Sequence, residues 1–355
     1  MFEVRSASVR YEVRAEPDAL AASAAGMRAG VVIADAHFGP TLAAAGVEAI
    51  LLEANEVTKG FEAIGGILVR LRKAGAGRNT HLWAVGGGAI QDAAAFVASI
   101  YMRGMAWTYL PTTLLGMVDS CIGGKSSINV GAYKNLVGTF HPPTSVLIDS
   151  GLTRTLSREQ RIAGLAEAAK ICYCRGADVF GEYLELGPDR AAAPREFDPI
   201  IELSLRAKKW FIEVDEFDRA ERLLLNLGHT FGHALEGASG FRLSHGVAVG
   251  VGILCALELS GRLSSSAPGG VAPALEAHLR GLLASLAHLP QILVDTDVAE
   301  VFDRLQADKK HEPEAYRFVT FDADGVVQTV RLPRTERTAS VLADSVENTL
   351  EQLST

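Results

Sequence analysis

Three histidines between residues 229 and 245 have the residue type and spacing of a metal site. His229 and His233 are four residues apart, so a helix would place both imidazoles on one face, and His245 follows twelve residues later. Imidazole nitrogens bind divalent transition metals, and a carboxylate would complete the ligand set. Glu167 is the candidate carboxylate, because it lies in an otherwise apolar helical segment where a charge requires a partner or a function. The alternative is that the histidines cap helices or satisfy polar groups in a core.

A second candidate site is a glycine-rich stretch that carries polar and basic side chains. Asp119, Lys125 and the pair Lys134-Asn135 lie in this stretch, and Arg103 precedes it. Lysine and asparagine side chains on glycine-rich backbone can hold a phosphate or a polyol. A solvated surface loop is the alternative, although an apolar run leads directly into the stretch.

The third candidate is the run Gly86-Gly87-Gly88, which follows a predicted strand and opens a predicted helix. Glycines at such a turn let the backbone approach a pyrophosphate, and the helix N-terminus favours the negative charge. The run differs from the GxGxxG pattern, so a turn without a ligand is the alternative. Asp35 ends another predicted strand, where an acid could bind a ribose hydroxyl, and Glu56 and Lys59 lie at a further strand–helix junction. Together these residues predict a dinucleotide site.

The elements that would position these residues follow from the hydrophobic pattern. Residues 1–14 alternate as a hairpin, and helical patterns at 17–28 and 58–74 separate short apolar runs. Strands are predicted at 31–35, 50–53, 81–85, 107–110 and 145–149. Strands that alternate with helices predict βαβ units and a parallel sheet.

After about residue 150 the pattern becomes mainly helical. Helices are predicted at 157–186, 196–214, 228–239, 246–263, 271–287, 297–307 and 338–353, and a hairpin at 316–321 and 326–330. We therefore predict an N-terminal α/β nucleotide-binding domain followed, after about residue 150, by a mainly α-helical domain.

Composition and charge argue against several classes of protein. The chain has 355 residues and a formal net charge of −8, which speaks against a nucleic-acid surface but allows basic residues focused in a site. Its start lacks the apolar core of a signal peptide, and no membrane span is predicted. The four cysteines form no CxxC motif, which favours a reducing compartment, so we expect a cytoplasmic protein.

The order and spacing of these groups resemble the 3-dehydroquinate synthase family, which belongs to the wider group of sugar phosphate cyclases. The resemblance extends over roughly residues 30–310. The matching stretches are Gly86–Asp92, Tyr101–Gly104, Leu110–Leu115, Val118–Ser120, Gly123–Lys125, Lys134–Phe140, Ala163–Glu167, Asn226–His233 and His245. The resemblance implies an α/β, Rossmann-like NAD-binding domain over residues 1–150 and a mainly α-helical metal- and substrate-binding domain over residues 151–355. It also implies that the site lies in the cleft between the domains and that the protein is a homodimer.

The resemblance also implies a reaction on a seven-carbon ketose phosphate. NAD⁺ transiently oxidises a substrate hydroxyl, phosphate is eliminated, the ketone is reduced again, and the ring closes by an intramolecular aldol step. NAD⁺ is thereby regenerated, and the enzyme is a carbon–oxygen lyase. Because the leaving phosphate can itself take the proton, the protein should supply positioning and positive charge more than a strong base.

The resemblance assigns the metal, zinc or cobalt, to Glu167, His229 and His245, where it would act as a Lewis acid. Residues that match catalytic and substrate-binding positions are Asp119, Lys125, Lys170, Lys208, His233, Arg103, Asn135, Arg222, Asn226, Lys309 and Lys310. Residues that match NAD-binding positions are Asp35, Glu56, Lys59, Gly86, Gly87, Gly88, Asp92, Thr112, Thr113 and Lys134. Among these, Arg222 matches an arginine that pairs with the substrate carboxylate, and Arg103 matches one that the neighbouring subunit lends to the phosphate.

Several positions depart from the usual pattern of the family and leave the substrate open. Ser126-Ser127 replaces Thr-Gly, Tyr133 replaces a glycine, and Asp218 replaces a glutamate. Relatives in cyclitol and other secondary metabolism include valiolone-type cyclases that use sedoheptulose 7-phosphate, amino-dehydroquinate synthases and deoxy-inosose synthases. Arg222 favours a carboxylated substrate, because an unpaired buried guanidinium would be costly. We therefore expect a 3-dehydroquinate synthase of the shikimate pathway, acting on 3-deoxy-arabino-heptulosonate 7-phosphate.

Two hypotheses from other classes remain. A glycerol dehydrogenase-type oxidoreductase shares the two-domain plan and the histidine-rich site, but it does not need Lys125, Asn135 and Arg222 to converge on a phosphate and a carboxylate. Net production of NADH would distinguish it. A degenerate cyclase kept as a scaffold is the second hypothesis, and the intact glutamate and histidine set argues against it.

Overall fold

The computed structural model describes residues 2–7, 9–131, 133–264, 266–308 and 311–354. The chain forms two compact units. Unit 1 consists of Met1–Thr155 and Ala192–Glu216, and unit 2 consists of Leu156–Ala191 and Phe217–Thr355. This division places the helix Asp198–Val214 in unit 1, whereas the sequence analysis assigned everything after residue 150 to the second domain. The functional roles of the two domains stay predictions.

The strands of the described chain are short. They are β1 (Phe2–Arg5), β2 (Arg10–Ala15), β3 (Val31–Asp35), β4 (Ile50–Leu52), β5 (Leu82–Gly86), β6 (Trp107–Pro111), β7 (Ile128–Val130), β8 (Tyr133–Val137), β9 (Ser145–Ile148), β10 (Ala315–Phe321) and β11 (Val327–Pro333).

The α-helices are concentrated in the second half of the chain. They are α1 (Ala19–Ala29), α2 (Gly39–Ala44), α3 (Phe61–Lys73), α4 (Gly88–Ile100), α5 (Arg158–Arg175), α6 (Ala177–Glu185), α7 (Asp198–Val214), α8 (His229–Ala238), α9 (His245–Ser264), α10 (Ala272–Ala284), α11 (Leu289–Val294), α12 (Val298–Gln306) and α13 (Glu336–Ser354).

Unit 1 is built on a seven-stranded sheet with the order β1-β2-β9-β6-β5-β3-β4. The hairpin β1–β2 is antiparallel, and the other strand pairs of this sheet are parallel, as the alternation of strands and helices predicted. In β3, Val31–Ala34 are all buried, as expected for a strand that is covered on both faces. Because β3, β5 and β6 are neighbours and parallel, the residues that follow them lie at one edge of the sheet.

Unit 2 is mainly helical, as predicted, and also contains the antiparallel hairpin β10–β11. Helix α9 packs against α5, α8, α10 and α13. By length and composition alone α9 is apolar enough to span a membrane, but 78% of its apolar window is buried inside the structure. Its apolar character is therefore used in packing the core of unit 2.

Two glycines allow α9 to approach its neighbours closely. A Cβ at Gly246 would lie 2.2 Å from the carbonyl oxygen of Ala163 in α5. A Cβ at Gly252 would lie 2.1 Å from the carbonyl oxygen of Gly228, the residue before α8. Neither distance is sterically allowed for a side chain. Glycine at both positions therefore allows α9 to lie close to α5 and to the residue that precedes α8.

The prediction of one helix over residues 157–186 is wrong. The structure has two helices there, α5 and α6, because Gly176 between them adopts a φ of 144°, which interrupts the helical path. The short elements α2, α11, β7 and β8 were not predicted at all. They are too short to show a hydrophobic period.

Candidate active site

Glu167 is a buried carboxylate in the middle of α5. Its relative exposure is 0%, and its Oε1 atom has no hydrogen-bond partner among the described residues. Its other oxygen forms an ion pair with Lys170, one helical turn later, which is 2% exposed. A buried carboxylate oxygen without a partner is energetically costly unless a cation or a ligand completes it.

Two imidazoles face the unpartnered oxygen of Glu167. His229 is the first residue of α8 and His245 the first of α9, and their Nε2 atoms lie 3.8 and 3.7 Å from Glu167 Oε1. His233 follows one turn along α8 and is exposed, and its ring stacks on that of His245 with the centroids 5.6 Å apart. One ligand atom from each of the three histidines lies within 4.8 Å of the others.

This donor set fits a divalent transition metal. One carboxylate oxygen and two or three imidazole nitrogens are a common set for zinc or cobalt, and the unpartnered Glu167 Oε1 is what such an ion would satisfy. Glu167, His229, His233 and His245, which the sequence predicted to act at one site, are therefore close together in unit 2.

Both histidines that face Glu167 have a partner for their second ring nitrogen. His229 Nδ1 lies 3.3 Å from the carbonyl oxygen of Leu227, and His245 Nδ1 lies 3.0 Å from Glu236 Oε2. Burial alone would lower the pKa of His245, but the hydrogen bond to Glu236 and the charges of Glu236 and Glu167 raise it above the usual value. The sequence analysis missed Glu236, although its position seven residues after His229 places it on the same helical face.

Two further predicted residues of unit 2 lie just before α8. Arg222 and Asn226 are in the short helical turn Glu221–Asn226. Arg222 is 3% exposed, and its Nε atom is 4.0 Å from Asp218. Asn226 is partly exposed, and its side-chain amide donates to the carbonyl oxygen of Leu223 at 3.0 Å. The buried guanidinium is a candidate binding group for an anion.

In unit 1, a network of ion pairs joins residues predicted to bind NAD. Lys59 Nζ lies 2.7 Å from Asp92 in α4 and 3.2 Å from the side-chain oxygen of Asn135. The backbone N–H of Ser127 donates to Asp92 at 3.0 Å. Lys134 Nζ lies 3.6 Å from Glu56.

Asn129 connects two halves of this network, and the sequence analysis missed it. Its side-chain nitrogen donates to Glu56 Oε2 at 2.8 Å, and its side-chain oxygen accepts from the backbone N–H of Asn135 at 2.9 Å. Asn135 has a φ of 53°, in the left-handed region that is uncommon for residues other than glycine. This hydrogen bond therefore stabilises an unfavourable backbone conformation. A lone asparagine in a strand carries no sequence signal for such a role.

Burial and charge act in opposite directions on the acids of the network. Burial is the largest influence on Asp92 and raises its pKa despite the opposing effect of Lys59. Burial also raises the pKa of Glu56, but Lys59, Asn129 and Lys134 together lower it below the usual value. Glu56 is therefore held as a carboxylate, which suits an acceptor of hydroxyl hydrogen bonds.

The predicted dinucleotide residues lie at the ends of β3, β5 and β6. Asp35 ends β3, the run Gly86–Gly88 joins β5 to α4, and Thr112 and Thr113 follow β6. A Cβ at Gly87 would lie 2.8 Å from Thr113 Cγ2, whereas a Cβ at Gly88 would meet nothing within 4 Å. The start of α4 is therefore open, with N–H groups that could hold a pyrophosphate. Asp35 also accepts a hydrogen bond from the backbone N–H of His37 at 3.0 Å.

Two of the remaining predicted residues of unit 1 form a close pair. Lys208 in α7 lies 2.8 Å from the carboxylate of Asp119 and also donates to its carbonyl oxygen at 2.6 Å. Lys125 and Arg103 are exposed, and Arg103 has a φ of 71°. The structure thus pairs Asp119 with Lys208 and leaves the roles of the other two as predictions.

Sequence comparison decides the family. The chain matches the profile of the 3-dehydroquinate synthase N-terminal domain over residues 49–163 and that of the C-terminal domain over residues 164–311. The chain belongs to the 3-dehydroquinate synthase family. A family member from Xylella fastidiosa (strain M23), named 3-dehydroquinate synthase, is 35% identical over 336 residues, which cover 89% of each chain.

Solved structures of sugar phosphate cyclases share the fold. A 2-deoxy-scyllo-inosose synthase complexed with carbaglucose-6-phosphate, NAD⁺ and Co²⁺ superposes with a TM-score of 0.84 at 21% identity and covers 98% of this chain and 99% of its own. The 2-epi-5-epi-valiolone synthase of Streptomyces hygroscopicus subsp. jinggangensis 5008, with NAD⁺ and Zn²⁺ bound, superposes with a TM-score of 0.79 at 25% identity and covers 97% of each chain. These structures confirm the predicted fold of a parallel α/β unit followed by a helical one.

Two late lysines and the four cysteines of the chain remain to be placed. Lys309 and Lys310, predicted to bind phosphate, lie outside the described residues. The cysteines are not candidate nucleophiles, because burial raises the pKa of Cys121, Cys174 and Cys255 to about 12 and that of Cys172 further still.

Proposed function

We propose that this chain is a sugar phosphate cyclase that converts 3-deoxy-arabino-heptulosonate 7-phosphate into 3-dehydroquinate and inorganic phosphate, a carbon–oxygen lyase reaction. The observation that carries the proposal is the buried, unpartnered oxygen of Glu167 beside His229 and His245, in a chain of the 3-dehydroquinate synthase family. A metal-dependent cyclase requires a set of side chains that can bind a metal, whereas a scaffold protein would not need to retain one.

Glu167, His229 and His245 would hold zinc or cobalt. The bound ion would supply Lewis acidity toward a substrate hydroxyl. Lys170 lies beside Glu167 as a buried cation, so its ammonium could donate a hydrogen bond to a substrate hydroxyl oxygen and stabilise negative charge that develops on it. His233 is exposed next to His245, where its imidazole could donate to a phosphate oxygen.

Residues of unit 1 would hold NAD⁺, which supplies reversible hydride transfer when it is bound. The run Gly86–Gly88 and the start of α4 offer backbone N–H groups to the pyrophosphate, and Thr112 and Thr113 follow the neighbouring strand. Asp35 and Glu56 are carboxylates that could accept hydrogen bonds from ribose hydroxyls. Lys59, Asp92 and Lys134 would fix this part of the site through the network described above.

The substrate contacts follow from the charged and polar groups. Arg222 would bind the substrate carboxylate with its two-pronged guanidinium, since a buried arginine gains most from a planar anion. Lys125, Asn135, Asn226 and the late lysines 309 and 310 would hold the phosphate and neighbouring hydroxyls. Asp119 and Lys208 form a close pair that could orient a ring hydroxyl.

We further propose that the protein works as a cytoplasmic homodimer in which Arg103 serves the phosphate site of the neighbouring subunit. Arg103 supports this role because it is exposed and is held in the left-handed backbone region at φ 71°, a strained conformation that favours a functional side-chain direction. The N-terminal domain over residues 1–150 would bind NAD, and the region 151–355 would carry the metal and most substrate contacts.

The direct test compares two substrates on the same preparation. Purified protein is supplied with Co²⁺ or Zn²⁺ and NAD⁺, and phosphate release is measured from 3-deoxy-arabino-heptulosonate 7-phosphate and from sedoheptulose 7-phosphate. We expect release from the carboxylated sugar alone, with no net formation of NADH. Release from sedoheptulose 7-phosphate alone would make the protein a cyclitol-forming enzyme. Net NADH from glycerol without phosphate release would instead indicate a dehydrogenase.

A further inference from the structure

Glu236 stands next to the candidate metal ligands. It lies on α8, seven residues after His229 and three after His233, so these three side chains share one face of the helix. Its side chain is only 13% exposed, and its Oε2 atom is 3.0 Å from Nδ1 of His245 at the start of α9. The contact therefore joins the helix that carries two histidines to the helix that carries the third.

The direction of this hydrogen bond determines which nitrogen of His245 is available. A carboxylate only accepts hydrogen bonds, so Nδ1 of His245 must donate. A metal-ligating imidazole is neutral and carries one proton, so a proton on Nδ1 leaves the lone pair on Nε2. Nε2 of His245 is the atom that lies 3.7 Å from the unpartnered Glu167 oxygen.

His229 provides an internal comparison. Its Nδ1 atom lies 3.3 Å from the backbone carbonyl oxygen of Leu227, and its Nε2 atom faces Glu167 at 3.8 Å. Both histidines thus turn Nε2 toward the same carboxylate oxygen, one with a backbone acceptor behind it and one with a side-chain acceptor. Only the second acceptor can be removed by substitution.

We propose that Glu236 is a positioning residue of the metal site: it holds His245 in the tautomer and ring orientation that present Nε2 to the metal. This inference rests on the metal site of the proposed function. Acceptors behind metal-ligating histidines increase the basicity of the ring and reduce its freedom, and their loss typically weakens metal binding by about 10–100-fold.

The test measures zinc affinity by competition with a chromophoric chelator. Glu236→Ala should bind zinc about 10–100-fold more weakly than the unaltered protein. Glu258→Ala is the matched control, because Glu258 is a partly buried acid of the same unit that pairs with Arg262 at 2.8 Å on α9. The control should bind zinc as the unaltered protein does.

Two conservative variants distinguish the effect of the hydrogen bond from the effect of the negative charge. They also provide a test if the alanine variant does not fold. Glu236→Gln keeps the length and an acceptor oxygen but loses the charge, whereas Glu236→Asp keeps the charge but loses the reach. We expect the glutamine variant to bind zinc more tightly than the aspartate variant. If the alanine variant does not fold, as judged by circular dichroism, this order decides the question, and an aspartate variant that equals or exceeds the glutamine variant would overturn the proposal.

Proton NMR of the Co²⁺-loaded protein adds a readout that a structural role would not move. The Nδ1–H proton of a cobalt-bound histidine gives a strongly shifted, exchangeable signal, so His229 and His245 should each contribute one. In Glu236→Ala the His245 signal should be lost to solvent exchange, while the His229 signal persists. If the unaltered protein binds no Zn²⁺ or Co²⁺, the metal site itself fails. If it binds metal and Glu236→Ala is indistinguishable from it, only the role of Glu236 fails.

Discussion

In the proposed function, the choice of substrate depends most on Arg222. Its guanidinium is 3% exposed, so it is removed from the water that would otherwise solvate it. A substrate carboxylate would form charge-assisted hydrogen bonds with two of its N–H groups, whereas lysine offers one point of contact. The bidentate contact is therefore what the proposed specificity requires.

The substitution Arg222→Lys keeps the positive charge but removes the pair of N–H groups that could bind a carboxylate at two points. We expect KM for 3-deoxy-arabino-heptulosonate 7-phosphate to rise about 10–100-fold, because a hydrogen bond to a charged group is worth about 1.5–3 kcal/mol. Steady-state phosphate release measures this. As a control, zinc affinity should stay unchanged, because the charge is retained and the ion pair of Arg222 with Asp218 involves no proposed metal ligand. An unchanged KM would show that Arg222 does not bind the substrate.

Asn129 is the residue on which the geometry of the unit 1 network depends. The substitution Asn129→Asp keeps its shape and the acceptor for Asn135, but it loses the donor to Glu56 and places two carboxylates 2.8 Å apart. We expect the Kd for NAD⁺, measured by calorimetry, to rise on the order of tenfold. Asn348→Asp in α13 makes the same chemical change away from the network and should have no effect. Equal affinity in both variants would contradict the role of Glu56 in binding NAD⁺.

At the residue scale, sequence reasoning selected a glutamate and three histidines that the structure brings together, and it missed polar residues that contact the predicted site residues. Histidines four residues apart and an acid in an apolar helix are conspicuous, so the amino-acid pattern pointed to Glu167, His229, His233 and His245, and the family resemblance then assigned the metal to Glu167, His229 and His245. Asn129 and Glu236 act by contacting residues that are distant or on another element, and a single polar residue has no spacing that reveals such a contact.

At the scale of elements, the approach of α9 to α5 determines where His245 lies. In Gly246→Ala the new Cβ would be 2.2 Å from the Ala163 carbonyl oxygen, so the start of α9 must move away from α5. We expect a loss of about 1–3 kcal/mol in stability from overpacking and a zinc affinity lower on the order of tenfold.

Thermal unfolding and chelator competition measure these two effects. Gly281→Ala in α10 is the control, because a Cβ there meets nothing within 4 Å. That variant should gain up to about 1 kcal/mol from helix propensity and should bind zinc normally. Normal zinc binding by Gly246→Ala would show that the close helix approach does not position His245.

The contact between α10 and α6 should make stability depend on pH. His278 Nε2 lies 3.0 Å from the hydroxyl of Tyr183, and burial lowers the pKa of His278 to about 4. The unfolded chain binds the proton at its ordinary pKa of about 6.5, so the unfolded state takes up more protons as the pH falls from about 6.5 to about 4. Stability from this histidine is therefore present above pH 6.5 and is lost toward pH 4.

The variant His278→Gln does not titrate and can still donate to Tyr183. The urea midpoint of unfolding is measured at pH 7 and at pH 4.5. The decrease between the two pH values should be smaller in this variant than in the unaltered protein. The expected difference is on the order of 1–2 kcal/mol, because the ring is only partly buried and solvent screens part of the effect. Identical pH dependence in the two proteins would show that His278 is not buried as the structure has it.

Element prediction succeeded where the hydrophobic period was long or fully apolar. The strands β3, β5 and β6 are continuous apolar runs, and α9 is a long apolar helix, so each was recognisable. The break at Gly176 was missed because a single glycine lies between two helices that follow each other directly, and its φ of 144° separates α5 from α6. The strands of the hairpin β7–β8 have only three and five residues and mix polar with apolar side chains, so neither strand shows a period that the sequence could reveal.

At the scale of the whole molecule, the proposed exchange of Arg103 between subunits can be tested by complementation. Arg103→Ala and Glu167→Ala should each be inactive alone. If Arg103 serves the partner, a mixed dimer has one site with both groups intact, so an equal mixture after subunit exchange should regain about a quarter of the full activity. If Arg103 serves its own subunit, each site carries one defect and no activity returns.

The central claim is that Glu167 and its histidines form the metal site of a cyclase that acts on a carboxylated sugar phosphate. The measurement that tests it most directly is phosphate release from 3-deoxy-arabino-heptulosonate 7-phosphate by the unaltered protein and by Glu167→Gln, with zinc and NAD⁺ supplied equally. We predict release without net NADH by the first protein and a loss of at least about 100-fold in the second, because an amide is a poor substitute for an anionic ligand. No release by the unaltered protein, or equal release by both, would contradict the account.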